Sequence, residues 1–114
     1  KKKPLIRVAD KAERTTAAGK TYDSKSEMMR AWQLDLLQRS GHIRNLREQV
    51  KYDLTINGQT IGYYTPDFVY EENTPAGWVE VVEEHKGFWT PEARLRVKVF
   101  QAIYGVTVRE NKAY

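Results

Sequence analysis

The chain of 114 residues has no cysteine and only two histidines. Disulfides, thiol chemistry and thiolate-bound metal are therefore excluded, a structural zinc site has no ligand set, and the composition fits a reducing compartment. No apolar run approaches the roughly 18–20 residues of a membrane-spanning helix, and no signal-peptide pattern opens the chain, so no membrane partner is expected. No internal repeat is present, and the length supports one domain. The start at Lys1, without a methionine, suggests a piece of a longer chain.

What is present is apolar content of 40%, with three Trp, seven Tyr and three Phe, too much for an intrinsically disordered chain. The formal charge of +4 is unevenly placed. Residues 1–20 carry seven basic side chains, beginning with Lys1, Lys2 and Lys3, against two acidic ones; the remainder carries twelve against thirteen. We read residues 1–20 as a basic flexible arm with a short strand at Leu5–Val8, and 21–114 as the folded domain. The arm is either a solvated tail or a phosphate-contacting extension.

The spacing predicts a first helix capped by Asp23 or Ser24, with Ser24-Lys25-Ser26-Glu27 at capping-box spacing. Its stripe of Met28, Met29, Trp32, Leu36 and Leu37 is expected to face the core, and Gly41 to end it. Gln49–Ile56 then reads as a strand stopping at the hairpin signal Asn57-Gly58, followed by strands at Ile61–Glu71 and Trp78–Lys86. Thr90-Pro91-Glu92 starts a second helix, with Leu95, Val99, Ala102 and Ile103 expected to be buried. Gly105 ends it, and Val106–Arg109 reads as a last strand. The expectation is an α/β domain in the order α-β-β-β-α-β, a mixed sheet flanked by helices.

Pro66-Asp67 is followed 17 positions later by Glu84-His85-Lys86. In a strand, Glu84 and Lys86 project from one face, and Asp67 lies near the end of the preceding strand. Two carboxylates at adjacent strand ends make a hard-oxygen site suited to Mg²⁺, with Mn²⁺ as a substitute. A lysine beside them can orient or deprotonate water, or stabilise developing charge, as phosphodiester hydrolysis requires. Acid-x-Lys also occurs at Asp23-Ser24-Lys25 and Glu110-Asn111-Lys112, where a helix cap and solvated terminal charges account for it. Only the middle triplet ends an apolar run, where unpaired charge costs several kcal/mol. The competing account is an exposed edge strand protected by charge.

Tyr64-Thr65-Pro66-Asp67-Phe68-Val69 and Val82-Glu83-Glu84-His85-Lys86-Gly87 resemble the core of the PD-(D/E)XK (restriction-endonuclease-like) nuclease superfamily. The likeness is closest to small phage-associated members, including junction-resolving enzymes of the phage endonuclease I type. Tyr22–Glu27 and Gly41–Gln49 resemble the stretches preceding that core. The resemblance implies that Asp67 and Glu84 ligate the metal with the backbone carbonyl of His85, and that Lys86 is the catalytic lysine. It matches Glu27 to an extra acid beside the metal, although Glu27 also completes the capping box, and Gln49 to a polar position near the metal. It implies a divalent-metal-dependent DNA endonuclease leaving 5′-phosphate and 3′-hydroxyl ends, selective for branched or junction DNA or nicking, and located in the cytoplasm of a bacterial host if phage-encoded. Junction cleavage would call for a homodimer. The alternative from another class is a DNA-binding module on the same fold that does not cut.

Around the motif, Glu80 and Glu83 read as structural neighbours rather than ligands, His42 as a loop residue, and the His85 imidazole as facing away from the metal. Arg94 and Lys98 share a face of the second helix, as phosphate contacts or a solvated basic face. Phe88-Trp89 could stack on a base or pack in the core.

Overall fold

A computed structural model describes residues 24–112. The basic arm, its Leu5–Val8 strand, Lys1, Lys2 and Lys3 lie outside the described residues. Among these residues the order is α1 (Lys25–Arg39), β1 (Ile43–Glu48), β2 (Tyr52–Ile56), β3 (Gln59–Tyr64), β4 (Phe68–Thr74), β5 (Gly77–Lys86), α2 (Pro91–Tyr104) and β6 (Val108–Lys112). A four-stranded mixed sheet runs β1-β4-β5-β6, antiparallel except for the β5–β6 pair, and β2-β3 form a separate hairpin. No helix among the described residues is long and apolar enough to cross a membrane.

The local signals act where their chemistry requires. Ser24 caps α1, its hydroxyl accepting the Glu27 N–H at 3.0 Å. Asn57 and Gly58 take φ of 51° and 77°, the left-handed pair of a tight hairpin turn, and Ile56 pairs with Gln59 across it. Thr90 caps α2 through the Ala93 N–H, Pro91 sits in its first turn, and Gly105 closes it at φ 69°.

Two strand expectations are corrected. The reading Ile61–Glu71 is two strands, because Pro66 has no N–H to extend a ladder and the chain leaves the hairpin for the main sheet at Thr65-Pro66-Asp67. The first strand of the sheet is Ile43–Glu48, not Gln49–Ile56; Gln49 lies between strands at φ 57°, and the pairing strand of the hairpin begins at Tyr52. Taken without the inserted hairpin, the main sheet follows α-β-β-β-α-β, and the last strand is shifted to Val108–Lys112.

The helices cover opposite faces. Met28, Ala31 and Leu34 of α1 pack on Ile43, Phe68, Tyr70 and Val81. Val97 and Phe100 of α2 pack on Leu54, Tyr64, Val69, Val82 and Val108. Alternation along β4 and β5 delivers Phe68, Tyr70 and Val81 to one side and Val69 and Val82 to the other. Tyr52 and Tyr64 meet Phe100 ring to ring at centroid distances of 5.1 and 4.9 Å, and the Tyr104 hydroxyl donates to the Asp53 carbonyl, so the hairpin is fastened to α2.

Both helical stripes differ from expectation. In α1 the expected stripe merged two faces: Met29, Trp32 and Leu36 are exposed, while Ala31 and Leu34 turn inward. In α2, Leu95 and Ala102 are exposed, Val99 and Ile103 are half-buried, and the core positions are Val97 and Phe100. Polar contacts set the rotation of α1. The Arg30 guanidinium donates to both oxygens of Glu83 at 2.7 and 2.9 Å, and Tyr70 donates to the same carboxylate at 2.7 Å. Glu83 is fully buried. Removing Arg30 would strand a buried charge, so Arg30→Ala is expected to cost about 3–5 kcal/mol by urea unfolding. Arg30→Met with Glu83→Leu should recover most of that loss, because no charge is then left unpaired.

Candidate active site

Asp67 and Glu84 meet because of strand register. Phe68 pairs with Glu83, so the residue before β4 falls opposite Glu84. Both acids are buried, at 8% and 3% exposure. The His85 N–H donates to Asp67 Oδ2 at 2.8 Å and Gln49 Nε2 donates to Asp67 Oδ1 at 3.4 Å. The Gln49 N–H also donates to the Asp67 carbonyl at 3.3 Å, a contact made from the left-handed backbone of Gln49. Sequence reasoning associated Gln49 with this site, and the structure brings it to Asp67.

Glu84 accepts from the Tyr64 hydroxyl at 3.2 Å and lies beside Asp67 by strand register. Burial and then the Asp67 carboxylate push its carboxyl up to about 8, with Lys86 and Tyr64 pulling the other way. The Tyr64 hydroxyl is itself pushed well above the ordinary tyrosine value by burial and by Glu84. Two like groups so placed need a proton or a cation between them, and the donors are oxygens, a set that fits Mg²⁺ or Mn²⁺. Lys86 lies two residues along the same face, its ammonium 5.8 Å from the centre of the Trp89 ring. Among the described residues no group of three or more acidic or histidine side chains is gathered at metal-holding spacing. Asp67 and Glu84 stand together by register, and Glu27 is buried on the first turn of α1.

The family model described as "Protein of unknown function (DUF1064)" matches residues 7–111. The chain belongs to the DUF1064 family. No curated protein and no solved structure matches it.

Elsewhere in this DUF1064 member, the flanking residues take specific partners. Glu83 faces α1, as above, and Glu80 is exposed and 3.8 Å from Arg47. The His85 imidazole turns to the α1 side, 2.6 Å from the Ser26 hydroxyl. His42 is an exposed loop residue bonded to Ser40. Phe88 is exposed, whereas Trp89 packs on the α2 core. Arg94 stacks over Trp89 at 4.5 Å and pairs with Glu110 at 3.1 Å, so its charge is already engaged; Lys98 is exposed. Two contributors were missed from sequence. Tyr64 stands in the motif stretch, but only tertiary packing aims its hydroxyl at Glu84. Glu110 was assigned to a solvated terminus, yet it is the register partner of Glu84 on β6. The acid-x-Lys triplet around it was the available signal.

Proposed function

We propose that this chain is a divalent-metal-dependent DNA endonuclease of the restriction-endonuclease-like type. The observation that carries this reading is the buried Asp67–Glu84 pair, set side by side by strand register, with Lys86 on the same strand face. The α-β-β-β-α-β order of the main sheet supports it, as does the resemblance around Asp67 and Glu84-His85-Lys86. Asp67, Glu84 and the backbone carbonyl of His85 would hold Mg²⁺, and Glu27 is the further acid that the resemblance assigns beside them. When bound, the ion polarises the scissile phosphate and makes water a better nucleophile.

The chain's own residues supply the rest. The His85 N–H and Gln49 amide hold the Asp67 carboxylate in orientation, and Tyr64 holds Glu84. Lys86 places a positive charge where the pentacoordinate phosphate gathers negative charge, and its ammonium can donate a hydrogen bond that orients the attacking water. Lys98, Gln49 and the arm lysines Lys1, Lys2 and Lys3 are the proposed DNA contacts, with Arg94 acting through its pair with Glu110. A domain of this size has little surface for base readout, which favours branched or junction DNA cut by a homodimer, or nicking by a monomer.

The test is incubation of supercoiled plasmid and a four-way junction with the full chain in Mg²⁺ or in EDTA. Nicked, linear or resolved products are expected in Mg²⁺ alone. Intact substrates in Mg²⁺ and in Mn²⁺, with DNA retained by the protein, would instead favour a binding module.

A further inference from the structure

β2 and β3 form a sheet of two strands, so β3 has no strand on its outer side among the described residues. Its sequence, Gln59-Thr60-Ile61-Gly62-Tyr63-Tyr64, holds no charged residue and no proline. The other strands with an open side carry charge: β1 has Arg44, Arg47 and Glu48, and β6 has Arg109, Glu110 and Lys112. β2 has Asp53, whose carbonyl also accepts from the Tyr104 hydroxyl. An edge without such charge invites another strand. Beside it, a groove of about 420 Å³ runs between the hairpin and α2, with Ile61 and Gly62 on one wall and Leu95 and Val99 on the other. β3 bulges at Ile61, since Leu54 pairs with Gly62 and Thr55 with Thr60. The bulge does not hide that residue: Ile61 is 57% exposed, and Leu95 across the groove is 62% exposed. A Cβ on Gly62 would meet nothing within 4 Å, which leaves room for a second chain to approach. Glu92 and Arg96 also line the groove, one turn apart on α2, and neither has an ion-pair or hydrogen-bond partner among the described residues.

We propose that β3 and α2 form the contact between two copies of this chain, related by a two-fold axis. The two β3 edges run antiparallel, joining the hairpins into one sheet. With the axis perpendicular to that sheet, both α2 helices lie on the same face, side by side and antiparallel. Ile61 and Leu95 of each copy then close over the grooves and leave water. The charges select this occupant. Antiparallel α2 helices set Glu92 of one copy opposite Arg96 of the other, and the symmetry makes that pair twice. Opposite charges one turn apart on a single helix are complementary to themselves, whereas a rim of one sign would select a partner of the other sign. The assembly rests on the edge, the groove and these charges, not on the nuclease reading, although it would supply the homodimer that junction cutting calls for.

The test is sedimentation of the full chain, without DNA and in EDTA, across a dilution series. A monomer–dimer equilibrium is expected, with two chains per particle at the concentrated end. Ile61→Lys places a charge in the contact from both copies and should weaken dimerisation about a hundredfold or more. Glu92→Arg and Arg96→Glu each set like charges against one another at both symmetric pairs, and each should weaken it about tenfold. Mixed in equal amounts, those two variants bring opposite charges together at both pairs, so they should associate with each other more tightly than either does with itself. Circular dichroism checks that each variant keeps the wild-type fold; if Ile61→Lys does not, the mixing experiment decides. A monomer at every concentration, a dimer unmoved by a folded Ile61→Lys, or two charge variants that associate no better mixed than alone overturns the proposal. Cleavage is not part of the readout, so a dimer of this kind that leaves DNA intact would count against the nuclease reading and keep the interface.

Discussion

Lys86→Ala is expected to lower DNA cleavage in saturating Mg²⁺ by about 10²–10³-fold while leaving the fold intact. Lys86 ends β5 half-buried, and its ammonium sits over the Trp89 ring and beside Glu84, so truncation opens no core cavity. The thermal midpoint should stay within a few degrees. Lys86→Arg should recover little activity, because a planar guanidinium cannot take the place of a compact ammonium with rotating donors. A second effect separates catalysis from packing. Lys86 helps hold the Glu84 carboxyl down, so its removal should move the pH profile of the residual activity to higher pH. Single-turnover rates between pH 6 and 9 check both points. Wild-type rates in Lys86→Ala would remove the lysine from the mechanism.

The part of this site legible in the sequence is the part fixed by local rules. Pro66 ends a ladder, so the next residue sits at a strand start; a charged triplet closing an apolar run sits at a strand end. These two statements suffice to bring Asp67 beside Glu84. Caps, the Asn57-Gly58 turn and the Gly105 stop are equally local. β1 was not legible. Arg44, Asn45, Arg47 and Glu48 show no alternation, and the strand exists because β4 accepts it, with Arg44 and Asn45 both bonding Glu71 across a bulge at Asn45. The rotation of α1 was hidden for a similar reason. Its apolar residues occupy two faces, and the choice between them is made by Arg30 on Glu83 and Ser26 on His85, contacts more than fifty residues apart in sequence. Periodicity does not encode such partners. Glu83 and Glu84 are adjacent acids in one strand, yet one is neutralised by an arginine from α1 and the other is left against Asp67.

That difference has a thermodynamic consequence. Without divalent metal, Glu84→Gln is expected to be more stable than the wild type at pH 8 to 9, the reverse of most substitutions in a buried site. The Glu84 carboxyl titrates near 8 in the folded chain, well above an ordinary carboxyl. The folded state therefore keeps a proton that the unfolded state has already released. The stabilisation is complete below the unfolded value and is lost as pH rises through about 8. At about 1.4 kcal/mol per pH unit, the loss across that window is on the order of a few kcal/mol. The amide introduced by Glu84→Gln has no charge to desolvate and keeps an oxygen for the Tyr64 hydroxyl, so the variant should escape the decline. Other titrating groups act in both proteins: Glu71 and Glu72, held low by Arg44 and Arg109, weaken the fold only as pH falls, and His85, held low by burial, does the same. The difference between wild type and variant cancels them. Because the Asp67 carboxylate is one cause of the rise on Glu84, Asp67→Asn should flatten the curve as well. Mg²⁺ should raise the wild-type thermal midpoint more at pH 8 than at pH 5, since at low pH the ion must displace a proton, and should leave Glu84→Gln almost unmoved. Thermal melts at half-unit steps from pH 5 to 9, in EDTA and in Mg²⁺, measure all of this. Parallel curves for wild type and Glu84→Gln would mean that burial against Asp67 does not hold a proton on Glu84, and the case for a cation there would lose its electrostatic basis.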